Sequence, residues 1–260
     1  TVTAIGHSTV LTGATPSASG IAGNSWYSRK DGRSVQSITD DQVTALGGPY
    51  GASPQRLRVT TIGDELKSSG YGGKVFGVSL KDRCAILPAG RAADGAFWLV
   101  NGQFVSSIWY FDDMPDWAEA FNAEQRADRF AGQQWAGGTM PAEAGTDLYR
   151  AMDATPFADQ MILEFALQVL ANEHLGTTAE TELVTVSFAA MDDLGHGSGP
   201  DTEQMRAMVA SVDDKIGQLL KAVEKQAGRS NVLVVMTADH GVSPVPEALV
   251  AAKLPGGRVD

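Results

Sequence analysis

The sequence predicts an α/β protein with a mostly parallel central sheet flanked by helices. Helical and strand-like patterns alternate through the C-terminal half. An amphipathic stretch opens at Thr155, an apolar β-branched run covers 183–190, a second amphipathic stretch covers 201–227, and another apolar run covers 231–236. Strands that alternate with helices imply parallel neighbours joined by crossovers. Both apolar runs then end in short segments carrying Asp, His and Gly, the place where open α/β sheets put their ligands.

The remaining elements follow from local signals. A helix is expected from Thr3 to a stop at Gly13, with Pro16 beyond it. Residues 28–56 lack periodicity and read as a long surface excursion. A short helix over 61–69 precedes a strand over 74–80, and residues 81–90 read as the turn at that strand's end. The segments 96–100 and 103–110 flank Asn101-Gly102, a type I′ hairpin signal, and form an antiparallel element within an insertion or cap over about 91–150. That cap also holds a short helix at 115–121. Trp98, Trp109, Trp117 and Trp135 are expected to pack it. The helix at Thr155-Pro156 has a capping hydroxyl and Pro in its first turn; His174 falls at its end in a structural position.

Composition narrows the function. The 260 residues carry a net charge of −11 and 43% hydrophobic residues, an ordinary core-forming composition at a size that suits one α/β core with an insertion. The acidic balance argues against a nucleic-acid surface, and no apolar run has the length of a membrane span. Cys84 is the single cysteine, so there is no internal disulfide. No signal-peptide pattern opens the sequence.

Asp192-x-x-x-His196 follows the first apolar run and Asp239-His240 the second. Taken singly, an Asp after a strand is often a helix cap, and an Asp-His pair is often a solvated turn. The chain has only four histidines, however, and two of them stand beside Asp at matching strand ends. Carboxylate and imidazole together suit Zn²⁺, with Mn²⁺ or another divalent ion as alternatives. Four such groups are natural for a shared two-ion site. Lys81 and Arg83 flank a strand-end turn where two cations can clasp one anion. A hydroxyl at a helix start, such as Thr3, normally caps the helix, but the same place favours an oxyanion or phosphate.

Four segments resemble the alkaline phosphatase superfamily, and within it the phosphate-irrepressible alkaline phosphatases that use a single Thr nucleophile. They are Thr3-Ala-Ile-Gly-His7 with Leu11-Thr-Gly13, Gly23-Asn-Ser-Trp-Tyr27, Ser79-Leu-Lys-Asp-Arg83 with Leu87-Pro-Ala-Gly90, and the two metal motifs at Asp192 and Asp239. The resemblance implies a phosphomonoester hydrolase with a phosphothreonine intermediate on Thr3, in preference to the rival hydroxyls of Thr1, Ser8, Thr9 and Thr12. It implies that Asp239 and His240 hold the ion that also binds Thr3, that Asp192 and His196 hold a second zinc ion, and that Asn24, Lys81 and Arg83 bind phosphoryl oxygens. Small-molecule phosphate monoesters are the implied substrates and a periplasmic or secreted location the implied setting. The family pattern also contains an Asp upstream of the nucleophile and a His near the carboxyl terminus, which these 260 residues lack. The expectation is therefore an α/β core incomplete at both ends, an internal part of a longer chain. The alternatives are a phosphodiesterase or nucleotide pyrophosphatase of the same superfamily, and a non-catalytic phosphate- or metal-binding remnant.

Overall fold

The computed structural model describes residues 2–257; Thr1 and residues 258–260 lie outside the described residues. Helix α1 (Thr3–Thr12) ends where Gly13 turns left-handed (φ 66°) and returns its N–H to Thr9, as the Gly stop predicts. After the short α2 (Pro16–Ser19), the surface excursion contains a hairpin of β1 (Ser25–Ser28) and β2 (Arg33–Gln36), then β3 (Ala45–Leu46). Helix α3 (Ile62–Ser68) opens with a reciprocal cap: the Asp64 N–H donates to Thr61 Oγ1 at 3.1 Å, and the Thr61 N–H donates to Asp64 Oδ2 at 2.8 Å. Such caps contribute about 1 kcal/mol each.

Strand β4 (Gly72–Ser79) leads into α4 (Asp82–Ala89). The hairpin of β5 (Gly95–Val100) and β6 (Gln103–Ser107) turns on Asn101 (φ 48°) and Gly102 (φ 79°), both in the left-handed region that a type I′ turn requires. Next come α5 (Asp116–Ala123), a minor hairpin of β7 (Gln134–Trp135) and β8 (Gly138–Thr139), α6 (Thr146–Met152), and the long α7 (Pro156–Asn172). β9 (Thr181–Ser187), α8 (Ala190–Ser198), α9 (Glu203–Ala227) and α10 (Pro246–Ala251) complete the order. No helix among the described residues is long and apolar enough to cross a membrane.

The main sheet runs β3-β6-β5-β4-β9. β4 pairs in parallel with both β5 and β9, while β5–β6 and β3–β6 are antiparallel, so the hairpin's first strand is itself a strand of the parallel core. Alternation along β5 supplies two cores. Phe97 and Leu99 face α7, where Phe165 stacks on Phe104 (ring centroids 3.9 Å) and meets Phe97 edge-on (5.0 Å). Ala96 and Trp98 face the other side, against Ile86 and Leu87 of α4 and Ala4 of α1. Phe165 is fully buried, and truncating such a side chain costs about 3–5 kcal/mol.

Three expectations fail. Residues 231–236 are not a buried strand: they run without regular pairing, and Leu233, Val235 and Met236 are 90%, 77% and 77% exposed. An apolar β-branched run records a tendency to pair, but β4 is already flanked on both sides and the segment joins no other edge. β9 is accordingly an edge strand, half-exposed along its length. The segments after the two parallel strands are helices, where loops were expected. Residues 81–90 form α4, and the expected Gly-rich loop after β9 winds into α8 despite Gly195 and Gly197.

Candidate active site

The site assembles at the carboxyl ends of β4 and β9. Their last residues, Ser79 and Ser187, are paired in register, and the Ser79 hydroxyl donates to the Ser187 carbonyl at 3.0 Å. α4 and α8 start within three residues of those ends, and α1 packs on α4. Helix N-termini turn positive dipole ends towards this rim, and their first turns carry Asp82, Asp192 and Asp193.

Thr3 is the first residue of α1 and is 6% exposed. Its Oγ1 lies 3.3 Å from His240 Nε2, across 237 residues of sequence. The close approach is possible because position 6 is glycine. A Cβ there would stand 2.2 Å from the Asp239 carbonyl oxygen, so the 239–240 segment rests directly on the helix backbone. Asn24 closes the same end, accepting the Ala4 N–H on Oδ1 at 2.9 Å. That bond fixes the amide orientation and leaves its NH₂ group as the donor.

Lys81 bridges two carboxylates, with Nζ 2.7 Å from Asp192 Oδ2 and 2.8 Å from Asp193 Oδ1. Burial by itself would lower the pKa of this ammonium, but the hydrogen bonds to Asp192 and Asp193 prevail and raise it. For Asp192, burial pushes upward, and the Lys81 bond and neighbouring cations bring the carboxyl below its usual range. Arg83 Nη1 lies 3.5 Å from Asp82 Oδ1, and Tyr50 donates to Asp82 Oδ2 at 2.6 Å. The buried Arg83 Nε has no hydrogen-bond partner.

The predicted ligands converge on Asp192 Oδ1 and His240. Asp192 and His196 stand four residues apart on one face of α8, with His196 Nε2 3.4 Å from Oδ1. His240 Nε2 is 3.6 Å from the same oxygen and 3.4 Å from Asp239 Oδ2. The His240 Nδ1 is 3.1 Å from the Gly241 carbonyl, which can only accept, so Nδ1 donates there and Nε2 is the ring nitrogen turned towards the carboxylates. Asp192 Oδ1 itself is buried without a hydrogen bond. An orphaned carboxylate oxygen between two imidazole nitrogens fits a divalent cation. Among the described residues no three His, Cys, Asp or Glu side chains are grouped to hold an ion.

His7 was not among the expected site residues. It lies one turn beyond Thr3 on α1, with Nε2 3.7 Å from Asp239 Oδ2. Burial lowers its pKa; Asp239 opposes this, while Arg83, His240 and Lys81 reinforce it. The i, i+4 spacing from Thr3 was the signal in the sequence. His174 projects from the far end of α7 and takes no part, as expected.

With this geometry in view, the comparisons are consistent with one another. Residues 1–254 match the family model for type I phosphodiesterase / nucleotide pyrophosphatase. The alkaline phosphatase PhoV of Synechococcus elongatus is 32% identical over all of this chain and 53% of its own length. The alkaline phosphatase PafA of Elizabethkingia meningoseptica is 31% identical, over 99% of this chain and 54% of its own. The crystal structure of wild-type PafA superimposes with a TM-score of 0.87 over 98% of this chain and 56% of that one. The chain thus spans about half the length of the curated relatives it matches. On the family match, the curated relatives and the shared fold together, the chain belongs to the type I phosphodiesterase / nucleotide pyrophosphatase family of the alkaline phosphatase superfamily.

Proposed function

We propose that this chain carries the active site of a metal-dependent phosphomonoester hydrolase that works through a phosphothreonine on Thr3. The contact between Thr3 Oγ1 and His240 Nε2 carries the proposal. It puts a buried hydroxyl at a helix N-terminus against an imidazole nitrogen that also faces two carboxylates. In this reading Thr3 attacks phosphorus, the ester oxygen leaves, and water later displaces the phosphoryl group from Thr3. Asn24 donates to a non-bridging oxygen from the NH₂ that its bond to Ala4 leaves free. Arg83 offers its unpartnered Nε and Lys81 its ammonium to the remaining oxygens, matching the double charge of a monoester. Asp239 and His240 would hold one divalent ion, and Asp192 and His196 a second. Zinc suits this donor set, and when bound such ions acidify a hydroxyl and neutralise charge on a departing oxygen. The resemblance to alkaline phosphatases brings with it small-molecule substrates and a periplasmic or secreted location.

The family match supports a second reading, phosphodiester or nucleotide pyrophosphate hydrolysis. Turnover of p-nitrophenyl phosphate against bis-p-nitrophenyl phosphate, by the zinc-loaded protein and by Thr3→Ala, separates the two. Monoester preference with turnover abolished in the variant is expected. Diester preference selects the second reading, and full activity in Thr3→Ala overturns the nucleophile assignment.

A further inference from the structure

α8 carries Asp192, Asp193 and His196, yet it begins without a local cap. Its N-cap residue is Ala189, whose side chain accepts no hydrogen bond. The Ala190 N–H instead points inward and donates to Oδ1 of Asp159 at 3.3 Å. Asp159 sits on α7, 31 residues upstream, with no exposed surface. Its second oxygen has no partner. Lys215 of α9, itself only 5% exposed and hydrogen-bonded to Ser211, favours the ionised form through space, but burial prevails.

A carboxyl in such a place is expensive. Its neighbours along α7, Ala158, Met161 and Ile162, are buried apolar side chains, and an apolar residue would spare the desolvation cost. The alignment of its one hydrogen bond supplies a use. A partner for a free first-turn N–H helps to fix a helix's rotation, and α8 presents Asp192 and Asp193 towards Lys81 and His196 towards Asp192.

We propose that Asp159 is a positioning residue, a cap supplied from α7 that fixes the first turn of α8 and so the direction in which its acidic residues face the site. This assignment rests on the reading that α8's side chains serve the reaction. Asp159 is not a catalytic residue: it is fully buried and its one hydrogen bond is to the Ala190 backbone.

The test compares wild-type protein with Asp159→Ala, which removes the acceptor, and Asp159→Asn, which keeps it. Hydrogen exchange is followed by mass spectrometry in the metal-free and zinc-loaded states, alongside zinc affinity and p-nitrophenyl phosphate kinetics. In Asp159→Ala, exchange over residues 190–198 should accelerate ~5- to 10-fold, the value of one lost cap, while β4 and the centre of α7 keep their protection. Zinc affinity should fall, kcat should fall more than KM rises, and Asp159→Asn should recover all three. Unchanged exchange in α8 overturns the proposal, as does equal acceleration in α7 and α9, or an Asn variant no better than Ala. Exchange does not depend on turnover. If wild-type protein hydrolyses neither ester, the proposed function fails while the exchange result still decides the role of Asp159.

Discussion

Gly6→Ala should separate site geometry from fold stability. The added Cβ would lie 2.2 Å from the Asp239 carbonyl oxygen and 2.8 Å from its carbonyl carbon and Cβ. Ordinary contact is about 3.5 Å, so one side must retreat by about 1 Å. α1 is sealed into the core by Ala4 and Ser8, which are fully buried, and it packs on α4. The 238–241 segment belongs to no strand and bears the movement. His240 and Asp239 then leave Thr3, and a misplacement of about 1 Å costs on the order of 100-fold in kcat/KM. Stability moves little, because alanine in a helix interior is favoured over glycine by about 1 kcal/mol, offsetting part of the clash. Gly217→Ala in α9 is the control: nothing lies within 4 Å of its Cβ. It should gain about 1 kcal/mol, a rise of roughly 2–4 °C in Tm, and keep full activity. The assays are p-nitrophenyl phosphate kinetics and thermal unfolding. A Gly6→Ala protein with unchanged kcat/KM, or with activity and Tm lost together, would refute the argument.

Two further outcomes follow from the charges. Burial raises the carboxyl of Asp159 to about 7 and that of Asp153, with Asp193 nearby, to about 6, from 3.8. A group whose folded pKa is raised stabilises the fold below its unfolded pKa and loses that contribution as pH rises through the folded value. These two groups should therefore withdraw stability from metal-free protein between about pH 4 and 7, while His7, held below its usual value, acts in the opposite sense as pH rises towards 6.5. Asp159→Asn should flatten that slope by an amount on the order of 4 kcal/mol or less, measured by urea unfolding; an unchanged slope would contradict the burial argument. Separately, calorimetric titration should show inorganic phosphate binding zinc-loaded protein about tenfold or more tighter than metal-free protein. Equal affinities would disconnect the Lys81 cluster from any cation site.

The elements legible in the sequence are those whose start and stop signals are local. Thr61, Thr155 and Thr202 each cap the helix that follows, Gly13 and Gly228 end α1 and α9, and Asn101-Gly102 makes its hairpin. α8 was hidden because its cap is Asp159, supplied through tertiary structure, and because Gly195 and Gly197 argue locally for a loop. Residues 231–236 failed for the opposite reason. Their composition specifies a strand, but pairing depends on a neighbour, which composition cannot name. In the site, Asp192 and His196 were readable from spacing alone, since four residues bring them to one helix face. The meeting of Thr3 with His240 was readable only through resemblance to a family, because no local rule spans 237 residues.

In the proposed function the electrostatics of the rim tie anion binding to cation binding. Lys81 and Arg83 are its cations; Asp82, Asp192, Asp193 and Asp239 stand beside them. A phosphate dianion entering that group would face an excess of negative charge at close range, which the low local dielectric makes costly. Lys81 is moreover committed, both of its hydrogen-bonded partners being carboxylates. In the proposed function it would become available to a phosphoryl oxygen when another positive charge satisfies Asp192, whose Oδ1 lies buried and unpaired between His196 and His240. Cation binding at that oxygen and phosphate binding at Lys81 would thus be two halves of one exchange. The helix dipoles and Arg83 would attract the anion, with its full binding energy waiting on the cation. The same reasoning gives Asp159 its importance: the exchange requires Asp192 to stand where both Lys81 and an imidazole pair can reach it, and that is set by the first turn of α8.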